Sequence, residues 1–300
     1  MSLLNRPSNG LASVLMALYR ALSVYGAQLE PDLISLVAPA SMLGDAKPDM
    51  VKNTLNRWRV LGFFENRPDG KIELAVSIPR YSPSSFVDLR SAILQLVLKE
   101  RNNAGVVSSD ADDEDKFPDA SDLTRALAWM LAQDPYTFPD NWKEAERLQS
   151  EQRVFPNPFI NDTRWAGFRE WAVFLGLAST PGGRFVPNPF AAVKGVLAKA
   201  FDGRDELLIS PLLEELQISL PVVDSGRYRI QVQSQIQKPW RDLLAHEISP
   251  TLSVALLSLE ASGDIRLDTR SDSPQQRALL GRKGAFIRDV SHVVNMRGSK

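Results

Sequence analysis

Apolar residues recur at helical spacing along most of the chain, and short alternating runs follow some of these helices. The pattern is sharpest from Pro48 to Ile78. Val51, Leu55, Trp58 and Leu61 fall at i, i+4, i+7 and i+10 and make one apolar stripe, while Lys52, Asn53, Asn56 and Arg59 occupy the opposite face. Pro48 suits a first helical turn, and Asp49 complements the positive end of the helix dipole. Gly62 lets the chain leave the helix. The Asn66-Arg67-Pro68-Asp69-Gly70 run supplies turn chemistry before Ile72, Leu74, Val76 and Ile78 alternate. The spacing predicts a helix followed by a β-hairpin.

Upstream, Leu11, Val14, Leu15, Leu18, Leu22 and Val24 predict a core helix from Gly10 to Tyr25, entered after Ser8-Asn9. Pro31 and Asp32 open a second apolar run, and Gly44 marks a turn before Pro48. Three helices and a hairpin in this order resemble the winged helix-turn-helix family over about residues 8–80. The resemblance implies that the third helix lies in a major groove. It makes Lys52, Asn53, Asn56, Arg57 and Arg59 the DNA-binding candidates on the helix, and Arg67 and Lys71 the candidates on the wing. The same residues also fit the solvated face of a protein-binding module.

A trailing helix from Pro83 to Arg101 completes an expected first domain, residues 1–101. Residues 102–117 combine Gly, Ser and the acidic run Asp110, Asp112, Asp113, Glu114 and Asp115, and read as a flexible linker. They lack the Gly and Glu spacing of a calcium loop. A second domain is expected over 118–203. It has helices at Leu123–Leu131, Trp142–Arg153 and Thr163–Leu175, a short wing over Gly176–Pro187 with Pro181-Gly182-Gly183 at its tip, and a helix from Phe190 to Phe201. WRVLGFFENRPDGKIELAV and WAVFLGLASTPGGRFVPNP share an aromatic helix end, a glycine exit and a Pro-Asp-Gly or Pro-Gly-Gly tip, the mark of an internal repeat. Trp165, Phe168, Trp171 and Phe174 make the later copy apolar over a wide arc, with Arg164 and Arg169 as its long donors. That face suits protein packing better than base stacking, which needs exposed rings beside a basic groove. A third domain over 204–300 is expected to hold helices at Leu207–Leu216, Pro239–Leu244 and Thr251–Leu259, and a strand at Arg227–Val232. A hairpin of IRLDTR and AFIRDVSHVV would follow, its connection SDSPQQRALLGRKG forming an enlarged wing. The expected fold class is mainly α with small β-hairpins (α+β), as tandem winged-helix-like domains.

The net charge of −1 over 300 residues argues against a protein that coats nucleic acid uniformly, but the charge is divided by region. Residues 1–101 hold 12 Lys+Arg against 9 Asp+Glu, and residues 102–153 hold 5 against 12. Residues 261–300 hold 8 against 4, with Arg277, Arg282 and Lys283 close together as a second candidate phosphate contact; a solvated loop is the alternative. The absence of cysteine removes disulfides, thiolate nucleophiles and Cys-based zinc sites and fits a reducing compartment. No signal pattern opens the sequence and no apolar run spans a bilayer, so a cytoplasmic protein without membrane partners is expected.

Catalytic motifs are missing: there is no phosphate loop, no GxGxxG, no HExxH and no GxSxG. His246 and His292 are the two histidines, and His292 alternates with Val290 and Val294 as a strand residue would. Asp32 and Asp45-Ala46-Lys47 follow a nuclease-like pattern formally, but capping and turn roles explain both acids better. The expectation is no enzyme, no cofactor and no metal.

The opening SLLNRPSNGLASVLMALYRAL, the LGFF exit into the hairpin and the closing RDVSHVV resemble the DpdG proteins of bacterial clusters that insert and police 7-deazaguanine derivatives in DNA. The resemblance covers nearly the whole chain and brings no catalytic residues. It implies an accessory role in modification-linked restriction, a form of antiviral defence, in a bacterial cytoplasm. The expected function is therefore a non-catalytic DNA-binding or complex-organising subunit. Its first domain would contact duplex DNA and the others would hold a partner such as a helicase or nuclease. The alternative is a protein-only winged-helix scaffold or transcriptional regulator.

Overall fold

The computed structural model describes residues 3–4, 11–39, 49–80, 86–107, 120–237, 241–271, 273 and 275–297. Helices dominate these residues, and the strands form small two- and three-stranded sheets, so the fold is mainly α with small β-hairpins. The chain divides into two compact units, Met1–Thr124 with Phe159–Phe174, and Arg125–Pro158 with Leu175–Lys300. Residues 118–203, expected as one domain, are shared between them.

The first unit opens with α1 (Ala12–Tyr25), α2 (Glu30–Val37) and α3 (Asp49–Leu61). Leu15, Leu18, Tyr19 and Leu22 of α1 are buried at i, i+3, i+4 and i+7, and meet the buried stripe Val51, Leu55, Trp58 and Leu61 of α3. Gly62 takes a φ of +91°, and a Cβ there would run into the Arg101 guanidinium, so this exit requires glycine. β1 (Phe64–Asn66) and β2 (Ile72–Leu74) then pair antiparallel, with Phe64 opposite Leu74 and Asn66 opposite Ile72. The strand stops short of the expected Ile78. The Ala75 N–H turns back to the Phe63 carbonyl and the Ile78 N–H to the Ala75 carbonyl, which leaves Val76 at 99% exposure and tucks Ile78 under the unit. Gln28, between α1 and α2, exchanges two backbone hydrogen bonds with Ile72, so the ribbon runs Gln28, β2, β1.

α4 (Phe86–Leu98) is followed by a 3-10 turn, Glu100–Asn102. Residues 102–107, expected to begin the linker, are instead fastened to the unit. The Asn102 side-chain amide donates to the carbonyls of Leu61 and Leu96 at 3.1 and 2.8 Å, and that of Asn103 to Val97 and Lys99 at 2.6 and 2.8 Å. Helix ends leave carbonyls without partners, and these two buried amides satisfy them. The acidic stretch 108–119 lies outside the described residues. So do Ser8-Asn9, Gly44, Asp45, Pro48 and Pro83. The unit boundary falls inside α5 (Ser121–Ala132), and after α6 (Trp142–Gln152) of the second unit the chain returns to the first as α7 (Asp162–Phe174). Trp165, Phe168 and Trp171 of α7 are buried, and Trp171 lies 5.3 Å from Trp58 between ring centroids. These rings are packing residues with no face open for base stacking.

In the second unit, β3 (Ala178–Ser179) and β4 (Val186–Pro187) form the expected short hairpin. Then follow α8 (Phe190–Phe201), β5 (Glu206–Leu208), α9 (Ile209–Ser219), α10 (Arg227–Gln233), β6 (Glu247–Ile248), α11 (Pro250–Ala261), β7 (Ile265–Asp268), β8 (Arg277–Leu280), β9 (Phe286–Val290) and β10 (His292–Asn295). α9 and α11 pack on α8, and one sheet runs β5, β10, β7, a second β6, β8, β9. The first sheet repeats the order Gln28, β2, β1, with α8, α9 and α11 in the places of α1, α2 and α3. α10 and β6 are inserted before the third helix, and β8 and β9 between the hairpin strands, so the enlarged wing contains strands of its own.

Four elements differ from expectation. The helix expected from Leu207 starts at Ile209, with Leu207 in β5, and AFIRDVSHVV is two strands in separate sheets, β9 beside β8 and β10 beside β7. Arg227–Gln233 is a helix, because Tyr228 and Val232, four apart, are buried together while the Tyr228 and Arg229 N–H groups both reach the Pro221 carbonyl. Alternation over six residues did not separate this from a strand. Residues 241–244, expected to be helical, are irregular, and Pro239 lies outside the described residues.

Candidate nucleic-acid interface

Each third-helix candidate has a definite environment. Lys52 is exposed, and Asn53, Asn56 and Arg59 are half-buried on the side away from the core stripe. Arg57 departs from the expected set at 5% exposure. It lies three residues after buried Thr54 and four before buried Leu61, so helical geometry turns it inward. Arg59 is a clamp. Its Nη1 donates to Glu30 of α2 at 3.4 Å and to Asn66 of β1 at 3.3 Å, and its Nη2 donates to Asn56. Glu30 had no sequence signal as its partner, since the two are 29 residues apart.

The hairpin is less basic than its two cations imply. Arg67 and Lys71 are exposed at the turn, but Arg67 sits 3.5 Å from Asp69 and 3.7 Å from Glu73, while Glu65 stands directly opposite Glu73. The tip is fastened by the Arg67 N–H to the Lys71 carbonyl at 2.8 Å. Lys52 and Lys71 are therefore the cations on this surface that make no ion pair among the described residues. Ion pairs this exposed contribute about 1 kcal/mol or less, so a phosphate can compete for Arg59 or Arg67 at small cost.

The second cation group is not brought together. Arg277 opens β8, whereas Arg282 and Lys283 follow its far end, roughly 15 Å away at strand rise. Arg277 lines a cleft with Asp224 and Glu247, and Lys283 lines another with Arg229 and Arg241. Arg229 and Arg241 were not candidates from sequence, because nothing in the pattern marks Arg229 as fully buried.

Ser291 Oγ lies 2.8 Å from His292 Nδ1, and His292 stands opposite Asp268. Ser291 is fully buried and bound to the Arg270 N–H and the Asp268 carbonyl, which ties that hydroxyl to the sheet. Asp32 lies in the first turn of α2, where a carboxylate complements the helix dipole. Among the described residues, no group of three or more His, Asp or Glu is placed to hold a metal ion, and no helix is long and apolar enough to cross a membrane.

A family model described as DpdG-like matches residues 1–273. The chain belongs to the DpdG-like family. Membership associates it with a DNA modification system. The match spans both units and includes α3, its hairpin, α8, α9 and α11. No curated protein and no solved structure matches the chain.

Proposed function

We propose that this chain is a non-catalytic subunit of a bacterial DNA modification and restriction system, and that its first unit contacts duplex DNA through α3 and the following hairpin. The arrangement is read as a winged helix. Among the described residues three helices precede a hairpin, and a bridge from between the first two helices pairs with the second hairpin strand. The observation that carries the reading is the outward face of α3, where Lys52, Asn53 and Asn56 stand opposite the buried stripe. Asn side chains suit adenine edges and lysine suits guanine or phosphate. The second unit has the same order of helices and strands, but its third helix is buried in its own core and offers no groove-reading face, so this reading leaves the unit to hold a partner such as a helicase or nuclease.

A second reading, a protein-only scaffold or transcriptional regulator, is favoured by Glu30, Asp69 and Glu73, which neutralise Arg59 and Arg67 on the same surface. The two separate in one experiment, duplex binding by the full chain across a salt series. Each phosphate contact removed lowers the salt slope by about one, so Lys52→Ala/Lys71→Ala is expected to lower it by up to about two. Both side chains are exposed, so the variant is expected to keep its melting temperature. An unchanged affinity and slope in the folded variant would refute the DNA reading and leave the scaffold.

A further inference from the structure

The second unit contains a cleft of about 240 Å³ at the amino end of α11, reached by Gln133, Gln152, Arg229, Arg241, Ser249 and Lys283. None of these residues belongs to α3 or its hairpin. Arg229 is the informative member. It is 2% exposed, and its Nε donates to Gln233 at 2.9 Å. Its Nη1 is buried without a hydrogen-bond partner. The neighbouring carboxylate oxygen, Asp224 Oδ1, stands 3.9 Å away and is itself without a hydrogen bond. A guanidinium carries five N–H donors, and a buried one that leaves donors unused is costly. Burial pulls its pKa below the ordinary arginine value, against the opposing pull of Asp224.

The carboxylates around the cleft are tied to the frame, except that Asp224 Oδ1 is left facing Arg229. Asp134 accepts from the N–H groups of Tyr136 and Lys283 at 2.9 and 2.8 Å, and Asp224 Oδ2 from that of Ser249 at 2.6 Å. Glu247 accepts from the Leu244 N–H at 2.9 Å and from Arg241 at 2.7 Å. What remains toward the opening is cationic: Arg229, the outer part of Arg241 and exposed Lys283, beside the positive end of α11, where Pro250 has no N–H and Ser249 already accepts that of Leu252.

We propose that this cleft binds a phosphate group, with the Arg229 guanidinium as its inner donor and Arg241 and Lys283 closing on the outer oxygens. A tetrahedral oxyanion presents acceptors in several directions at once, which matches donors arriving from α10, the segment before β6 and the turn after β8. Three cations faced by three carboxylates give a weak, salt-sensitive site. The phosphate is that of a nucleic-acid backbone or of a free nucleotide.

The test is calorimetric titration of the full chain with inorganic phosphate at low ionic strength. Binding in the millimolar range is expected, and Arg241→Gln/Lys283→Gln is expected to weaken it by about tenfold in a chain that stays folded, with a small loss of stability where Glu247 loses Arg241. Lys52→Ala/Lys71→Ala is expected to leave it unchanged, so failure here and failure of the α3 reading are separate results. Arg229→Gln is expected to abolish binding; should it unfold the chain, the surface pair decides. Displacement of phosphate by duplex DNA, with a lower salt slope in the surface pair, identifies the backbone as the source. Displacement by a deoxynucleoside monophosphate, with duplex binding unchanged, identifies a nucleotide. No phosphate binding by the wild-type chain, or equal binding by the folded surface pair, would overturn the proposal.

Discussion

Asp264 offers a test of the second unit that can be worked through to a magnitude. Its side chain is 9% exposed and accepts from Lys194 Nζ at 2.7 Å, Ser262 Oγ at 2.6 Å and Arg297 Nε at 2.8 Å. It therefore joins α8, the turn before β7 and the segment after β10. Burial pushes its pKa up, but hydrogen bonds from Lys194, Ser262 and Arg297 outweigh that and hold it at about 2, below the ordinary 3.8. A carboxylate depressed in the folded state stabilises fully above its unfolded pKa, and that contribution disappears as pH falls from about 4 to about 2. The drop corresponds to about 2 kcal/mol at neutral pH. Asp264→Asn keeps the shape and removes the charge, so it is expected to cost about 2 kcal/mol at neutral pH, or roughly 5 °C in melting midpoint. The gap to wild type should close in acid. Asp268, Glu215 and Glu247 are also held below their ordinary values, but they titrate in both proteins and cancel in the difference. Urea unfolding of both chains from neutral pH to about pH 2 measures it. Curves that stay parallel through that range would refute the assignment of this carboxylate as the fastening point.

Two further substitutions probe the first unit. Trp58 is fully buried against Phe63 and Trp171, so Trp58→Ala is expected to cost about 3–5 kcal/mol in urea unfolding. Its Nε1 has no hydrogen-bond partner, so Trp58→Phe, which also removes a buried unsatisfied N–H, is expected to cost clearly less. Asn102→Ala strands the Leu61 and Leu96 carbonyls and is expected to cost about 2 kcal/mol in the same assay.

The helical framework was legible wherever an apolar stripe was long enough to show its period. The α3 stripe is buried as its spacing requires, and α1, α6, α8 and α11 begin and end within a few residues of their expected limits. Legibility failed where tertiary contacts decide. RYRIQV alternates over six residues yet becomes helical, because Pro221 offers its carbonyl to two N–H groups and Tyr228 and Val232 share a face. The second hairpin strand ends early because Ala75 turns back on Phe63, a contact no local pattern announces. Asn102 and Asn103 sit among Gly and Ser in a stretch whose composition reads as linker, but their amides meet carbonyls that become available only once α3 and α4 have ended nearby. Arg57 is the instructive miss. Its spacing from Thr54 and Leu61 already placed it on the inner face, and its charge alone put it among the candidates. Arg59 shows the limit of reading one helix at a time, since its main partners come from α2 and β1.

The two helix-and-strand arrangements share an order but not a chemistry. In the first, the third helix, DMVKNTLNRWRVL, turns a lysine and two asparagines outward. In the second, α11 reads PTLSVALLSLEA, and its one charged residue, Glu260, is taken up by the Leu267 N–H and Arg288. Thr251, Leu252, Ser253, Ala255, Leu256 and Leu259 are buried around most of its circumference, so this helix has no face with which to read a groove. Any anion contact in the second unit must come from beside α11 and not from along it. The cations that meet this requirement are on the inserted segments: Arg229 on α10, Arg241 before β6 and Lys283 after β8. Insertion into a shared arrangement, with the third helix given over to the core, moves the polar chemistry from the helix face to the helix end.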